Sequence, residues 1–244
     1  MRSARSRSML QIKPSALSLK PYCMNAAGLI FDFDGLLVDT EVSIYRAWQA
    51  NYAAYDQELP LEIYTGCVGS DFSGFDPKAY LDSLLPEGET ADWEHWDVER
   101  ERINQESVNQ LGPMPGVVAL LEKAKALGIP CAVASSSPDW WVKPHLERMG
   151  LEGYFQAIRT RDDVEKIKPA PDLFLSAAEA LGASPAECLV FEDSVNGLKA
   201  AQAAGIPCIA VPNLITRELD FTGAAKVLKS LVIAGEELLM VNGG

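Results

Sequence analysis

The sequence predicts an α/β fold, a doubly wound parallel-sheet core of Rossmann-like type with an inserted α-helical cap, and three observations carry that prediction. Short apolar runs of strand length recur at 26–31, 131–134, 188–191 and 208–211. Beyond residue 112 these runs alternate with helical patterns, the arrangement that builds a parallel sheet covered on both faces. Between residues 41 and 112 the strand pattern stops and only helical spacings and loop residues remain. The chain divides accordingly into a leader (1–24), a core (25–40 and 113–244) and a cap (41–112).

The elements follow in order. Residues 26–31 form a buried strand. Ile44, Ala47, Trp48, Tyr52 and Tyr55 lie at helical spacings within 41–55, as do Trp93, Trp96, Ile103 and Leu111 within 91–111. Between them, residues 65–74 (TGCVGSDFSG) are rich in glycine and serine and read as a loop. Pro113-Met114-Pro115-Gly116 is a stiff return to the core. It leads to a helix over 117–127, the strand 131–134, a helix over 139–149 and a short strand over 157–159. A helix over 173–181, the strand 188–191, a helix opening at Asn196 and the strand 208–211 complete the alternation.

The leader differs from the rest. It holds Arg2, Arg5, Arg7, Lys13 and Lys20 with five serines, and no acid precedes Asp32. This is the composition of an organellar transit peptide and equally of an over-extended start before Met24. The location expected is cytoplasmic, or plastid or mitochondrial if the leader is a targeting segment. The whole chain carries a net charge of −13, and removing the five leader cations leaves about −18, which argues against nucleic acid as a partner. No apolar run approaches membrane-spanning length. The five cysteines show no metal-ligand spacing and are expected to remain reduced. His95 and His145 are expected at the surface.

The densest chemistry is FDFDGLLVDTE, residues 31–41. In extended backbone, residues two apart share a side, so Asp32 and Asp34 are expected to project together beyond the first strand. Gly35 allows a sharp turn and close approach to a ligand. Paired acids at the mouth of a parallel sheet suit a hard cation and a phosphate. Ser135 follows the second strand, Lys168 opens a helix in KPAPD, and Glu192-Asp193 follow a later strand. Any one has an ordinary explanation as a cap or a solvated charge. Their recurrence at strand ends and helix entrances is what points to a site.

With DFDGLLVDT, Ser135 after AVA, Lys168 in KPAPD and Glu192-Asp193-Ser194 in that order, residues 26–235 resemble the haloacid dehalogenase superfamily, in the group whose helical cap follows the first motif. The resemblance implies a Mg2+-dependent phosphomonoester hydrolase. Asp32 would be the nucleophile that forms an aspartyl-phosphate, and Asp34 the general acid and base. Asp32, the main-chain carbonyl of Asp34, Asp193 and, directly or through water, Glu192 would hold Mg2+. Ser135, the backbone N–H of Ser136 and Lys168 would bind the phosphoryl group.

A dehalogenase lacks an acid two residues after its nucleophile, so Asp34 favours phosphate chemistry. A sugar phosphomutase is the alternative. The mutases of this superfamily place a histidine early in the cap, where this chain reads Glu41-Val42-Ser43-Ile44. A non-catalytic binding protein on the same fold is a further alternative, disfavoured because every motif residue remains. The partner expected is a small phosphate ester, and the oligomeric state favoured is a monomer. From Ala47 to Glu99 the basic residues are Lys78 and His95. A neutral sugar or polyol phosphate is therefore expected, with residues 65–75 as the selective surface.

Overall fold

The computed structural model describes residues 26–68 and 75–234, and of Cys67 the backbone alone. The leader 1–24 and most of the expected selective loop (69–74) lie outside the described residues. The core is a six-stranded, all-parallel sheet in the order β3-β2-β1-β4-β5-β6. Its strands are β1 (Gly28–Phe31), β2 (Cys131–Ala134), β3 (Phe155–Arg159), β4 (Cys188–Glu192), β5 (Cys208–Ala210) and β6 (Lys226–Val227). Strand order reverses at β1, between β2 and β4, and in doubly wound sheets such a reversal opens a crevice at the strands' carboxyl ends.

Near-continuous apolar runs make β1, β2, β4 and β5, which are buried on both faces, whereas the edge strands β3 and β6 are only partly buried. Leu29 and Phe31 face one layer with Leu120, Val142 and Leu146. Ile30 faces the other with Phe174, Ala177 and Leu198. Phe31 and Phe191 are in register on adjacent strands, their rings stacked with centroids 5.0 Å apart. The covering helices are α5 (Val117–Ala126), α6 (Asp139–Arg148), α7 (Asp172–Leu181) and α8 (Val195–Ala204).

The inserted stretch contains α1 (Thr40–Ala53), α2 (Leu61–Tyr64), α3 (Pro77–Leu84) and α4 (Trp93–Val108). Trp48, Tyr52, Leu59, Tyr64 and Leu81 form a separate hydrophobic cluster there. Arg100 lies over the Trp48 ring at 3.9 Å, and the Tyr52 hydroxyl donates to the Pro77 carbonyl at 2.6 Å. Helix α3 has no counterpart in the sequence reading. Asp76 caps it by accepting from the Lys78 N–H at 2.9 Å, with Pro77 in its first turn.

The outgoing and returning chains run side by side. The Met114 N–H donates to the Leu37 carbonyl at 2.8 Å. Arg148 donates to the carbonyls of Leu111 (2.7 Å) and Val108 (3.1 Å), tying α6 to the chain at the end of α4; the Val108 carbonyl also accepts from the Leu111 N–H at 3.0 Å. Cys131, Cys188 and Cys208 are buried and free, one in each of three strands. No helix among the described residues is long and apolar enough to cross a membrane.

Candidate active site

Beyond the ends of β1 and β4, and between core and cap, lies a cavity of about 200 Å³. Its wall includes Asp32, Asp34, Ser136, Lys168 and Asp193 from the core, and Ile44 from α1. Gly35 turns the chain at φ +78°. A β-carbon there would meet a carboxylate oxygen of Asp193 at 2.4 Å and the Asn213 amide nitrogen at 2.5 Å, so a side chain would close the site.

One side of the cavity is ionic. Lys168 is 2% exposed and forms an ion pair with Asp32, while its Nζ lies 2.8 Å from Glu192 Oε2. Asp32, Glu192 and Asp193 are all buried, with carboxylate oxygens within 4.8 Å of one another. Glu192 Oε1 accepts from the N–H groups of Asp193 (3.2 Å) and Ser194 (3.0 Å) and from the Ser194 hydroxyl (2.7 Å). With Oε2 on Lys168, Glu192 has both oxygens engaged, so it anchors the lysine and the entrance of α8. Gly197 makes room for it, since a β-carbon there would lie 1.9 Å from the Glu192 carboxyl carbon. Asn213, at the end of β5, donates to Asp193 Oδ2 at 2.7 Å and to the Gly35 carbonyl at 3.2 Å.

Burial dominates the protonation of this cluster. Loss of water raises the Asp32 carboxyl to about 8, with Glu192 adding and Lys168 opposing. Burial, then the charges of Asp34 and Asp32, raise Glu41 to about 8. Asp193 is likewise held well above the usual carboxylate range by burial and by Glu192. Burial pulls Lys168 down, but Asp32 and Glu192 outweigh it and hold it above the ordinary lysine value. Four crowded carboxyls with one lysine and all-oxygen donors are a set that a hard divalent cation fits.

On the other side the donors to Asp34 are neutral, and the cation Arg161 lines the cavity beside them, its backbone N–H on the Ser137 carbonyl at 3.1 Å. Asp34 Oδ1 accepts from the Thr40 hydroxyl (2.8 Å) and the Trp141 indole N–H (2.9 Å). Its Oδ2 accepts from the Ser137 hydroxyl at 2.6 Å and more distantly from Ser135 at 3.4 Å. Ser135 is fully buried and also accepts from the Ser137 N–H at 3.0 Å, while Ser136 faces the cavity. The Ser136 hydroxyl is buried without a hydrogen-bond partner among the described residues.

Of the expected site residues, Asp32, Asp34, Ser136, Lys168, Glu192 and Asp193 line one cavity, whereas Ser135 is fully buried behind it and reaches it only through its contact with Asp34; Asp32 and Asp34 keep different company there. Sequence reasoning missed Ser137, Trp141, Glu41 and Asn213. It also placed His145 at the surface, which the structure corrects: His145 is 4% exposed, edge-on to Trp141 (4.7 Å) and stacked near Phe33 (6.4 Å). The positions 141, 142, 145 and 146 form the buried stripe of α6 and carry the imidazole inward. His95 is exposed, as expected.

The sequence of residues 29–211 matches the model of the family described as haloacid dehalogenase-like hydrolase. The chain belongs to that family. A Bacillus subtilis (strain 168) protein named as a phosphatase, YhcW, is 43% identical over 204 residues, covering 83% of this chain and 91% of its own. The fructose-1-phosphate phosphatase YqaB of Escherichia coli (strain K12) is 32% identical over 188 residues, covering 76% of this chain and 96% of its own. Among solved structures, a hydrolase of the family from Deinococcus radiodurans R1, with bound phosphate and sodium, superposes with a TM-score of 0.71 at 30% identity. That superposition covers 86% of this chain and 93% of the other. Within the haloacid dehalogenase-like hydrolases, the cavity described above is where the motif residues of this chain meet.

Proposed function

We propose that this chain is a phosphomonoester hydrolase acting on a small sugar phosphate through an aspartyl-phosphate at Asp32. The observation that carries the reading is the contrast between two carboxylates that share one cavity. Asp32 is paired with Lys168 in a buried acidic cluster, and Asp34 is held by neutral donors beside it. A nucleophile must carry an electron pair toward phosphorus, and Lys168 keeps that charge stable and offsets the charge of the incoming phosphoryl group. An acid–base group must exchange a proton with the leaving oxygen and then with water. Asp34 stands where both exchanges are possible without joining the cluster.

The residues fit Mg2+, with Asp32, Asp193 and the Asp34 main-chain carbonyl as its holders and Glu192 at their back. When bound, the ion supplies charge neutralisation and orientation of the phosphoryl oxygens. Asn213 keeps Asp193 turned to that position. The Ser136 hydroxyl and N–H receive phosphoryl oxygens, and Ser135 joins them when its hydroxyl turns from Asp34. Ile44 and Tyr64 border the cavity and exclude water from the ester. YqaB, named for fructose 1-phosphate, supports a sugar phosphate as the substrate class.

Hydrolysis is favoured over a mutase because Ile44 lines the cavity in the first turns of α1 and neighbouring Ser43 is buried against Ser107. Neither is a group that titrates near neutral pH, as a histidine would to control Asp34. The test is phosphate release from a panel of sugar phosphates with Mg2+ and with excess chelator, followed by NMR. Stoichiometric inorganic phosphate that depends on Mg2+ is expected. Interconversion of two esters with little free phosphate would establish the mutase instead.

A further inference from the structure

We propose that Trp141 is a positioning residue for the acid–base step, fixing which oxygen of Asp34 exchanges the proton. The proposal rests on the hydrolase reading above. Three donors of two kinds meet the Asp34 carboxylate at ordinary distances: the hydroxyls of Thr40 and Ser137 and the indole N–H of Trp141. They are not equivalent. A hydroxyl is both donor and acceptor and rotates to suit its partner, whereas an indole nitrogen only donates, along a direction set by its ring. Ser137 can accept a proton carried on Oδ2. Trp141 cannot accept one carried on Oδ1.

The indole is itself held rigidly. Trp141 is 5% exposed and lies edge-on to His145, with centroids 4.7 Å apart and planes at 78°. His145 stacks at 6.4 Å on Phe33, the fully buried residue between Asp32 and Asp34. A closed path therefore runs from the loop through Phe33, His145 and Trp141 back to the loop at Asp34. The ring cannot turn its N–H away without disturbing that stack; Thr40, on the same oxygen, could accept a proton carried there but the fixed N–H could not, so the indole keeps Oδ1 as the acceptor and the exchanging proton resides on Oδ2.

In the first half-reaction a bond forms between Asp32 and phosphorus as the ester P–O bond breaks. The Oδ2 proton passes to the departing oxygen, giving a neutral alcohol and an ionised Asp34. In the second half-reaction water adds to phosphorus and its proton returns to Oδ2. The P–O bond to Asp32 then breaks, and phosphate leaves.

A buried indole N–H also needs a partner for stability alone, so the test must separate positioning from packing. Trp141→Phe keeps an aromatic ring and removes the donor. The readout is kcat/KM, which reports phosphoryl transfer to the enzyme, for two esters. An alkyl ester such as fructose 1-phosphate needs a proton on its leaving oxygen, and 2,4-dinitrophenyl phosphate does not. A positioned acid contributes roughly 10²–10⁴-fold, and the variant is expected to lose about tenfold of this on the alkyl ester and less than about twofold on the dinitrophenyl ester.

Equal losses on both esters, or none on either, would overturn the proposal. If Trp141→Phe folds poorly, benzothienylalanine in place of Trp141, which exchanges the N–H for sulfur in a ring of nearly the same shape, gives the same readout. A wild-type protein that releases phosphate from neither ester overturns the hydrolase reading itself, a distinguishable result.

Discussion

Asp32 and Asp34 are two residues apart and line the same cavity, yet the two sides they belong to are built on opposite principles. The Asp32 side is buried and ionic, several carboxylates gathered around Lys168. Burial there acts against every charge and is relieved only by a countercharge. The Asp34 side is a set of neutral hydroxyls and one indole, where geometry rather than charge decides the outcome. On the proposed mechanism, one side would set whether a charged phosphoryl group can be received and the other how a proton moves. Substitutions should therefore affect the ionic side through charge, metal and stability, and the neutral side through rate alone.

The largest expected effect is on the ionic side. Asp32→Asn removes the proposed nucleophile and should lower phosphate release by at least about 10³-fold in steady-state assays. Denaturant melts should show the fold retained, because Asn keeps the shape of a carboxyl whose charged form burial already disfavours and Glu192 still pairs with Lys168. Substantial turnover would break the assignment.

Lys168→Met should come next, since it strips from two buried carboxylates the only cation paired with them among the described residues. Removing one partner of such a group costs about 3–5 kcal/mol, readable as a shift in urea midpoint without metal. An unchanged midpoint would mean that the ionic side is far better hydrated than its burial implies.

A third prediction concerns pH. Asp32 and Glu41 are each raised to about 8 in the folded protein, against ordinary carboxyl values near 4 in the unfolded chain. The unfolded chain then releases its protons first, so stability is greatest below about pH 4 on this account and declines as pH rises toward 8. In chelator, the thermal midpoint should fall between pH 5 and 8 and then level off. Saturating Mg2+ should flatten that slope. A midpoint that rises with pH would show that Lys168 outweighs burial.

The smallest effect is expected far from both sides. Lys78 is bound to Asp97 at 2.5 Å and lies over Trp93 in the cap. Lys78→Gln should cost no more than about 1 kcal/mol and leave kcat/KM for sugar phosphates unchanged. A marked rise in KM would instead bring Lys78 to the substrate.

The ionic side could be read from sequence because its chemistry is carried by residue types at strand ends: Asp32, Lys168 and Asp193 need only the alternation of strand and helix to be brought together. The neutral side could not. Trp141 sits in a helical apolar stripe, where an aromatic ordinarily signals packing, and nothing in its spacing says that the indole N–H points at a carboxylate. Ser137 looked like one more serine in a run of three. Asn213 does stand just past a strand end, a signal available in principle. The Asp76-Pro77 pair likewise marks the start of α3, but the helix is short and only Pro77 and Leu81 are buried in it. His145 was misplaced because its polarity was weighed above its position beside Val142 and Leu146.

The cysteines of the core have a use in following how the protein comes apart. Burial raises the Cys131 thiol to about 12 and pushes Cys188 and Cys208 up as well, so an alkylating reagent finds almost no thiolate in the native sheet. They sit in β2, β4 and β5, on both sides of β1, the strand that leads to Asp32. With Cys23 and Cys67 changed to serine, labelling rates at increasing denaturant would time the opening of each strand separately. Matching rates would mean that the sheet opens as a single cooperative unit. A faster Cys208 would mean that the edge beside β6 frays before the strands nearest Asp32.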